Sequence, residues 1–239
     1  MDDISLAKKN QESKGNNETL ASTVYQRLLG DIIAGRLGPG KKLRLQELKQ
    51  SYSVGNSPLR EALNRLTTNG MVTREENRGF RVSTATEEEL LELIRTRCWL
   101  EETALRESIT NGDEGWEERI VLAYHRLSKL ARRKNSPSFY ASPEWEEHHK
   151  EFHIALLSAC NSKILIGFCE QLHDQTLRYR NLAAVVEYRE RHELEEHNAI
   201  QEAVLNRDAG KAVELLIAHY QVTADIVISS GSLKAQAGK

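Results

Sequence analysis

Long apolar runs are missing from this chain of 239 residues. No stretch approaches the ~18–20 apolar residues that span a bilayer, so no membrane partner is expected. The first 18 residues, MDDISLAKKNQESKGNNE, carry charges where a secretory signal has an apolar centre. They read as a disordered tail, and 231–239 as a loose C-terminal one. Cysteine is scarce too. Cys98, Cys160 and Cys169 are odd in number and show no zinc-ribbon or redox spacing. That excludes a disulfide framework and predicts buried free thiols in a cytoplasmic protein. G-x-S-x-G, P-loop and dinucleotide glycine fingerprints are absent, as is any fixed-period repeat.

Apolar residues are 39% and charged residues 28% of the chain, an ordinary globular balance. The net charge of −2 hides an asymmetry. Residues 19–81 hold 11 Lys and Arg against 5 Asp and Glu, whereas 82–239 hold 19 against 26. A basic first third on an acidic remainder suggests that only the first part meets a polyanion.

The local patterns agree. Leu20–Ala34 carries a helical apolar stripe, and Gly35–Gly40 breaks it. A short helix is expected at Gln46–Tyr52. A second is expected from Ser57–Pro58 to Thr68, with Ser57 as N-cap, Pro58 at the first helical position and Asn69–Gly70 as C-cap. Strands at Val72–Arg74 and Phe80–Val82 flank a turn at Asn77–Arg78–Gly79. This is the order of a winged helix-turn-helix. Leu59, Ala62, Leu63 and Leu66 share one face of the second helix, leaving Arg60, Asn64 and Arg65 on the other and Asn56 and Ser57 at its tip. Such a helix suits a major groove, with Arg78 and Gly79 at the wing tip. From Thr86 onward nearly everything has a helical period. Helices are expected at 87–109, 113–133, 143–159, 161–186, 188–206 and 209–229. The fold class is therefore mainly α: a DNA-binding head over 19–84 and an all-α bundle over 85–230.

Histidines supply the bundle's chemistry. His149 and His153 are i, i+4 on one helix, and His197 and His219 fall on the two arms of a helical hairpin. Convergence of these rings would suit zinc or another late first-row divalent metal. Two such histidines on a charged helix are also commonly just solvated. Arg97, Arg178 and Arg180 can clamp a carboxylate or pair with nearby glutamates. A metal-dependent hydrolase is the alternative from another class. Thermolysin-like chemistry needs H-E-x-x-H, but Lys150 follows His149, so no enzyme is expected. A ligand-independent DNA-binding protein is the third reading.

The stretch IIAGRLGPGKKLRLQELKQSYSVGNSPLREALNRLTTNGMV, with the wing NRGFRV, resembles the GntR family of transcriptional regulators. R-x-x-L-E at Arg97–Glu101, E-F-H-x-x-L at 151–156 and the late histidines resemble its FadR branch, which carries an FCD-type ligand-binding domain. The resemblance implies a cytoplasmic homodimeric repressor on a palindromic operator in double-stranded DNA, relieved by a small carboxylate. It points to Gln46, Asn56, Ser57, Arg60 and Arg78–Gly79 as DNA contacts. Gly55–Asn56 replace the usual Ser/Thr-Arg. It also implies a metal held by an Asp and three His. His153, His197 and His219 match the histidines, and His149 stands where the Asp would be, a change toward zinc or toward no metal. The segments WEERIVLAYHRL, WEEHHKEFHIALLSAC and LHDQTLRYRNL are similar to the subgroup of the carbon-starvation-induced regulator, which implies a glutarate-type dicarboxylate or a hydroxy acid.

Overall fold

The computed structural model describes residues 19–76, 78–131, 142–184 and 192–233. It forms two compact units: residues up to Gly30 with Lys42–Arg81, and Asp31–Lys41 with Val82 onward. The larger unit thus takes Asp31–Lys41 from inside the expected head. The expected tail at 1–18 lies outside the described residues. The expected C-terminal tail starts too early, because Ser232 and Leu233 are buried and Leu233 joins the apolar core.

The head begins with α1 (Leu20–Ile33), followed by β1 (Lys42–Leu43), α2 (Leu45–Tyr52), α3 (Asn56–Thr68), β2 (Val72–Glu75) and β3 (Gly79–Val82). The strands form one sheet in the order β1-β3-β2, with Leu43 opposite Phe80 in an antiparallel pair. β1 is too short for sequence periodicity to show, and only pairing with β3 makes it a strand. α2 stops where Ser53 takes a left-handed φ of 51° and its backbone N–H satisfies the last carbonyls. α3 starts two residues before its expected position. Gly55 is its N-cap without a side-chain bond, so Ser57 is not the cap. Pro58 is then the third helical residue, where a missing N–H still costs no intrahelical bond. α3 ends at Asn69, as expected, with Gly70 at φ 71°. Leu59, Ala62, Leu63 and Leu66 are fully buried.

The bundle contains α4 (Glu87–Asn111), α5 (Glu114–Ala131), α6 (Pro143–Leu157), α7 (Lys163–Ala184), α8 (Glu193–Leu205) and α9 (Ala209–Ser229). Thr86 and Glu89 form a reciprocal capping box on α4, whose first turn holds three glutamates toward the positive end of the helix dipole. Ser142 caps α6, with Pro143 in its first turn. Gly112 turns the chain from α4 to α5 under the ring of Trp116, where an added Cβ would lie 2.0 Å from a ring carbon. By length and composition α9 is apolar enough to cross a membrane, which the run-by-run reading did not register. It packs instead on α4 and α8 as a core helix, burying Leu216, Tyr220, Ala224 and Val227. Trp116, Trp145 and Phe152 are the largest apolar side chains of the bundle core.

Leu63→Ala should destabilise the head by about 2–5 kcal/mol, the cost of a fully buried leucine plus its cavity. Thr86→Ala should remove about 1 kcal/mol from the bundle. Denaturant unfolding with a probe in each unit checks both, and a loss below about 1 kcal/mol for Leu63→Ala would contradict the packing described.

Candidate metal centre and nucleic-acid interface

In the head, the seam of α3 that buries its leucines turns the other side outward. Asn56, Ser57, Arg60 and Asn64 are exposed, as are Gln46 on α2 and Arg78 and Gly79 on the wing. Arg60 has no hydrogen bond or ion pair among the described residues. Arg65 behaves differently: it lies over the Tyr25 ring at 4.3 Å and donates to Ser22 Oγ, so it braces α1. Gly79 has φ 93°, a conformation that favours glycine and lets the wing turn tightly.

In the bundle, α6 carries His149 and His153 four residues apart, α8 carries His197 and α9 carries His219. The α8–α9 turn closes through Arg207 at φ 58° and sets the last two side by side, with ring centres 4.7 Å apart. One nitrogen from each of the four rings lies within 4.8 Å of the others, and all four residues are buried. The structure thus brings together the four histidines singled out from the sequence.

The hydrogen positions follow from what each partner can do. Arg180 Nη1 lies 3.1 Å from His149 Nδ1, and a guanidinium only donates, so Nδ1 accepts. A neutral His149 then carries its hydrogen on Nε2, which donates to His153 Nε2 at 3.1 Å. His153 therefore keeps its own hydrogen on Nδ1 and donates it to Tyr220 Oη at 3.0 Å. Tyr220 in turn donates to Glu101 Oε2. Arg97 closes the chain through Nε to Glu101 Oε1 at 2.6 Å and Nη2 to Tyr220 Oη at 3.1 Å. Separately, His219 Nδ1 donates to Glu196 Oε2 at 2.7 Å, which leaves Nε2 as its ligating atom.

Burial holds His149 and His153 neutral. It is the leading cause that puts His149 well below its ordinary value, reinforced by Arg180 and His153. His153 is lowered in the same way, by burial and then by His219 and His197. Neutral imidazoles have the lone pairs that metals need. Burial also works against the charge on Arg97, but Glu101 and Tyr220 more than offset it. Burial and Glu193 push Glu146 up to about 7 despite Arg180 nearby.

The three arginines fare differently. Arg180 reaches the cluster, but it also faces Glu146 at 3.3 Å and Glu193 at 3.9 Å. Arg97 is 3% exposed and held by Glu101 and Tyr220, so it is one residue removed from the cluster and not a free clamp. Arg178 does not join them. It sits on another face of α7, where its guanidinium donates to Thr84 O and lies over the Tyr179 ring. Sequence reasoning missed Tyr220, Glu196, Glu146 and His173. Tyr220 and Glu196 adjoin marked histidines in the sequence, but only the fold shows which ring each one orients.

Residues 20–82 match the gntR family of bacterial regulatory proteins, and 92–222 match the FCD domain. The chain belongs to the GntR family, in the branch with an FCD domain. It is 38% identical over 219 residues to the HTH-type transcriptional regulator BphR of Paraburkholderia xenovorans, covering 92% of this chain and 89% of that one. The HTH-type transcriptional repressor GlaR of Escherichia coli is 33% identical over 209 residues, with 85% and 93% covered. Among solved structures, E. coli McbR/YncC shares the fold with a TM-score of 0.73 at 20% identity, covering 88% of this chain and 98% of that one. The chain is a transcription regulator and not an enzyme.

Stability of the metal-free protein should depend on pH. In the unfolded chain His149, His153 and His173 take up protons near 6.5, whereas in the fold burial keeps them neutral, His173 down to about 3. The unfolded state then binds more protons below 6.5, so the histidine contribution is complete above that value and is lost as pH falls. Glu146 works the other way, its contribution being lost as pH rises from 4.5 through about 7. Three groups outweigh one, and Tm of chelator-treated protein should climb between about pH 5 and pH 6.5. A flat or falling Tm would show that these rings are not held neutral.

Proposed function

We propose that this chain is a homodimeric repressor that releases a palindromic operator when a small carboxylate, a C4–C6 dicarboxylate or hydroxy acid, binds beside a metal in the bundle. The observation that carries the reading is the set of four buried imidazoles with nitrogens within 4.8 Å of one another. Four buried imidazoles have little use in a core unless something ligates them, because burying polar groups is costly. His149, His153, His197 and His219 would hold the ion. The donor set is nitrogen only, which favours zinc over the hard oxygen-seeking cations.

The ion would supply positive charge to anchor a carboxylate. That matters here because the protein's own cations are already engaged: Arg97 by Glu101, and Arg180 by Glu146 and Glu193. With His149 in place of an aspartate, the ligand set brings no negative charge. His149 can offer Nε2 only with its hydrogen moved to Nδ1, where Arg180 now donates. Ligation through Nε2 would give up the Arg180–His149 hydrogen bond, and Arg180, still facing Glu146 and Glu193, would be the arginine beside the ion that an effector carboxylate could meet. Arg97 acts through Tyr220 by fixing the orientation of His153. Arg178 holds Thr84, so the effector role expected for it is not retained.

In the head, Arg60 and Asn64 read base edges, Gln46, Asn56 and Ser57 hold phosphates, and the wing brings Arg78 and Gly79 to the backbone. A palindrome needs a two-fold partner. Exposed apolar side chains occur in pairs on α4 (Leu91, Trp99), α5 (Val121, Leu122) and α7 (Ile164, Phe168), and a second copy would cover those of α4 and α7, which pack against each other. DNA as partner and three free cysteines suit the cytoplasm. For effector to release DNA it must bind the DNA-incompetent arrangement better, and ~1–3 kcal/mol of coupling changes operator affinity ~5–150-fold. A ligand-independent DNA binder would leave the histidine cluster without a purpose.

Arg60→Ala should weaken binding to the upstream operator by ~1–3 kcal/mol in a gel shift, and an unchanged shift would remove Arg60 from the interface. His153→Ala should lose bound metal by elemental analysis while its circular dichroism stays helical. Full metal occupancy in that variant would rule out the cluster as the site.

A further inference from the structure

The inward stripe of α7 is polar where a core stripe is normally apolar. Cys169, His173, Thr176, Arg180 and Ala183 follow one another at helical spacing, and all but Arg180 are buried. Arg180 already reaches His149. His173 lies seven residues earlier, nearly two full turns, and so faces the same way. Its ring centre is 5.8 Å from that of His149 and 6.3 Å from that of His153, yet it is not one of the four clustered ligands. It is 2% exposed, and its Nδ1 has no hydrogen-bond partner. The nearest carboxylate oxygen, on Asp174, is 3.8 Å away and is held by Lys150. Thr176, also 2% exposed, donates to Leu172 O within its own helix and has acceptor capacity left over.

An unpaired buried nitrogen is costly, and native structures keep few of them without a reason. A bound molecule that reached this edge would repay that cost. We propose that His173 and Thr176 form a recognition edge of the effector site: His173 Nδ1–H donates to a carboxylate oxygen of a dicarboxylate whose other end sits at the histidine cluster, and Thr176 Oγ1 accepts from a hydroxyl group on that acid. This rests on the carboxylate reading above. It divides the labour within the site: the cluster would attract any carboxylate, and the α7 edge selects by length and polarity. A site built to hydrogen-bond an oxygen discriminates strongly against ligands that leave its nitrogen unpaired.

The test uses full-length zinc-loaded protein, titrated calorimetrically with succinate, glutarate and malate, with zinc counted in each sample. His173→Phe keeps the ring shape and removes both nitrogens. It should retain the wild-type zinc content and bind the best of the three acids about 10- to 100-fold more weakly. Thr176→Val, which preserves shape should the first variant fold poorly, should weaken malate, the acid with a hydroxyl to donate, about 3- to 10-fold. Unchanged affinity in a folded variant with full zinc overturns the recognition edge and leaves the carboxylate reading standing. Loss of zinc in His173→Phe makes His173 a metal ligand and overturns the proposal as well. If wild-type protein binds zinc and none of the acids, the carboxylate reading itself fails and takes the edge with it.

Discussion

Burial of polar groups sets the terms for the larger unit. Its centre holds four imidazoles, a tyrosine hydroxyl and the Arg97–Glu101 ion pair, all out of water. Such groups are affordable in a core only when their donors and acceptors match. The match from Arg180 through His149, His153 and Tyr220 to Glu101 leaves no hydrogen position open to choice, because a guanidinium starts it and a carboxylate ends it. The same order puts a hydrogen on one of the nitrogens that a metal would need.

The head is governed by a simpler constraint. Its short helices have little stability of their own, and tertiary burial of one face holds them. Leu59, Leu63 and Leu66 sink into that face, so the exposure of Arg60 and Asn64 is a consequence of packing. Specific recognition needs this division, since a reading side chain must reach its target without losing its support.

Much of this was legible in the sequence, and the reason is periodicity. The order of helices and strands in the head, the Thr86 cap and the bundle helices all rest on local patterns, and the structure departs from them by a few residues at the ends. The four histidines were legible because an i, i+4 pair and a hairpin are local features. What escaped was non-local. β1 exists only through its pairing with Phe80 and Arg81. Arg97 looked like a free clamp because Tyr220, its partner 123 residues away, cannot be paired with it from spacing. Arg178 and Arg180 lie two residues apart, and the direction of each depends on how α7 is rotated against α4 and α6. His173 looked like one more histidine until the helix carrying it was placed beside the cluster.

The central claim is that the buried imidazoles of α6, α8 and α9 act together as one ligand set. X-ray absorption at the zinc edge of the loaded, full-length protein reads that directly. The account predicts a first shell dominated by nitrogen at about 2.0 Å, with the outer-shell scattering of four imidazoles. A shell built mainly of oxygen, with two imidazoles or fewer, would contradict it.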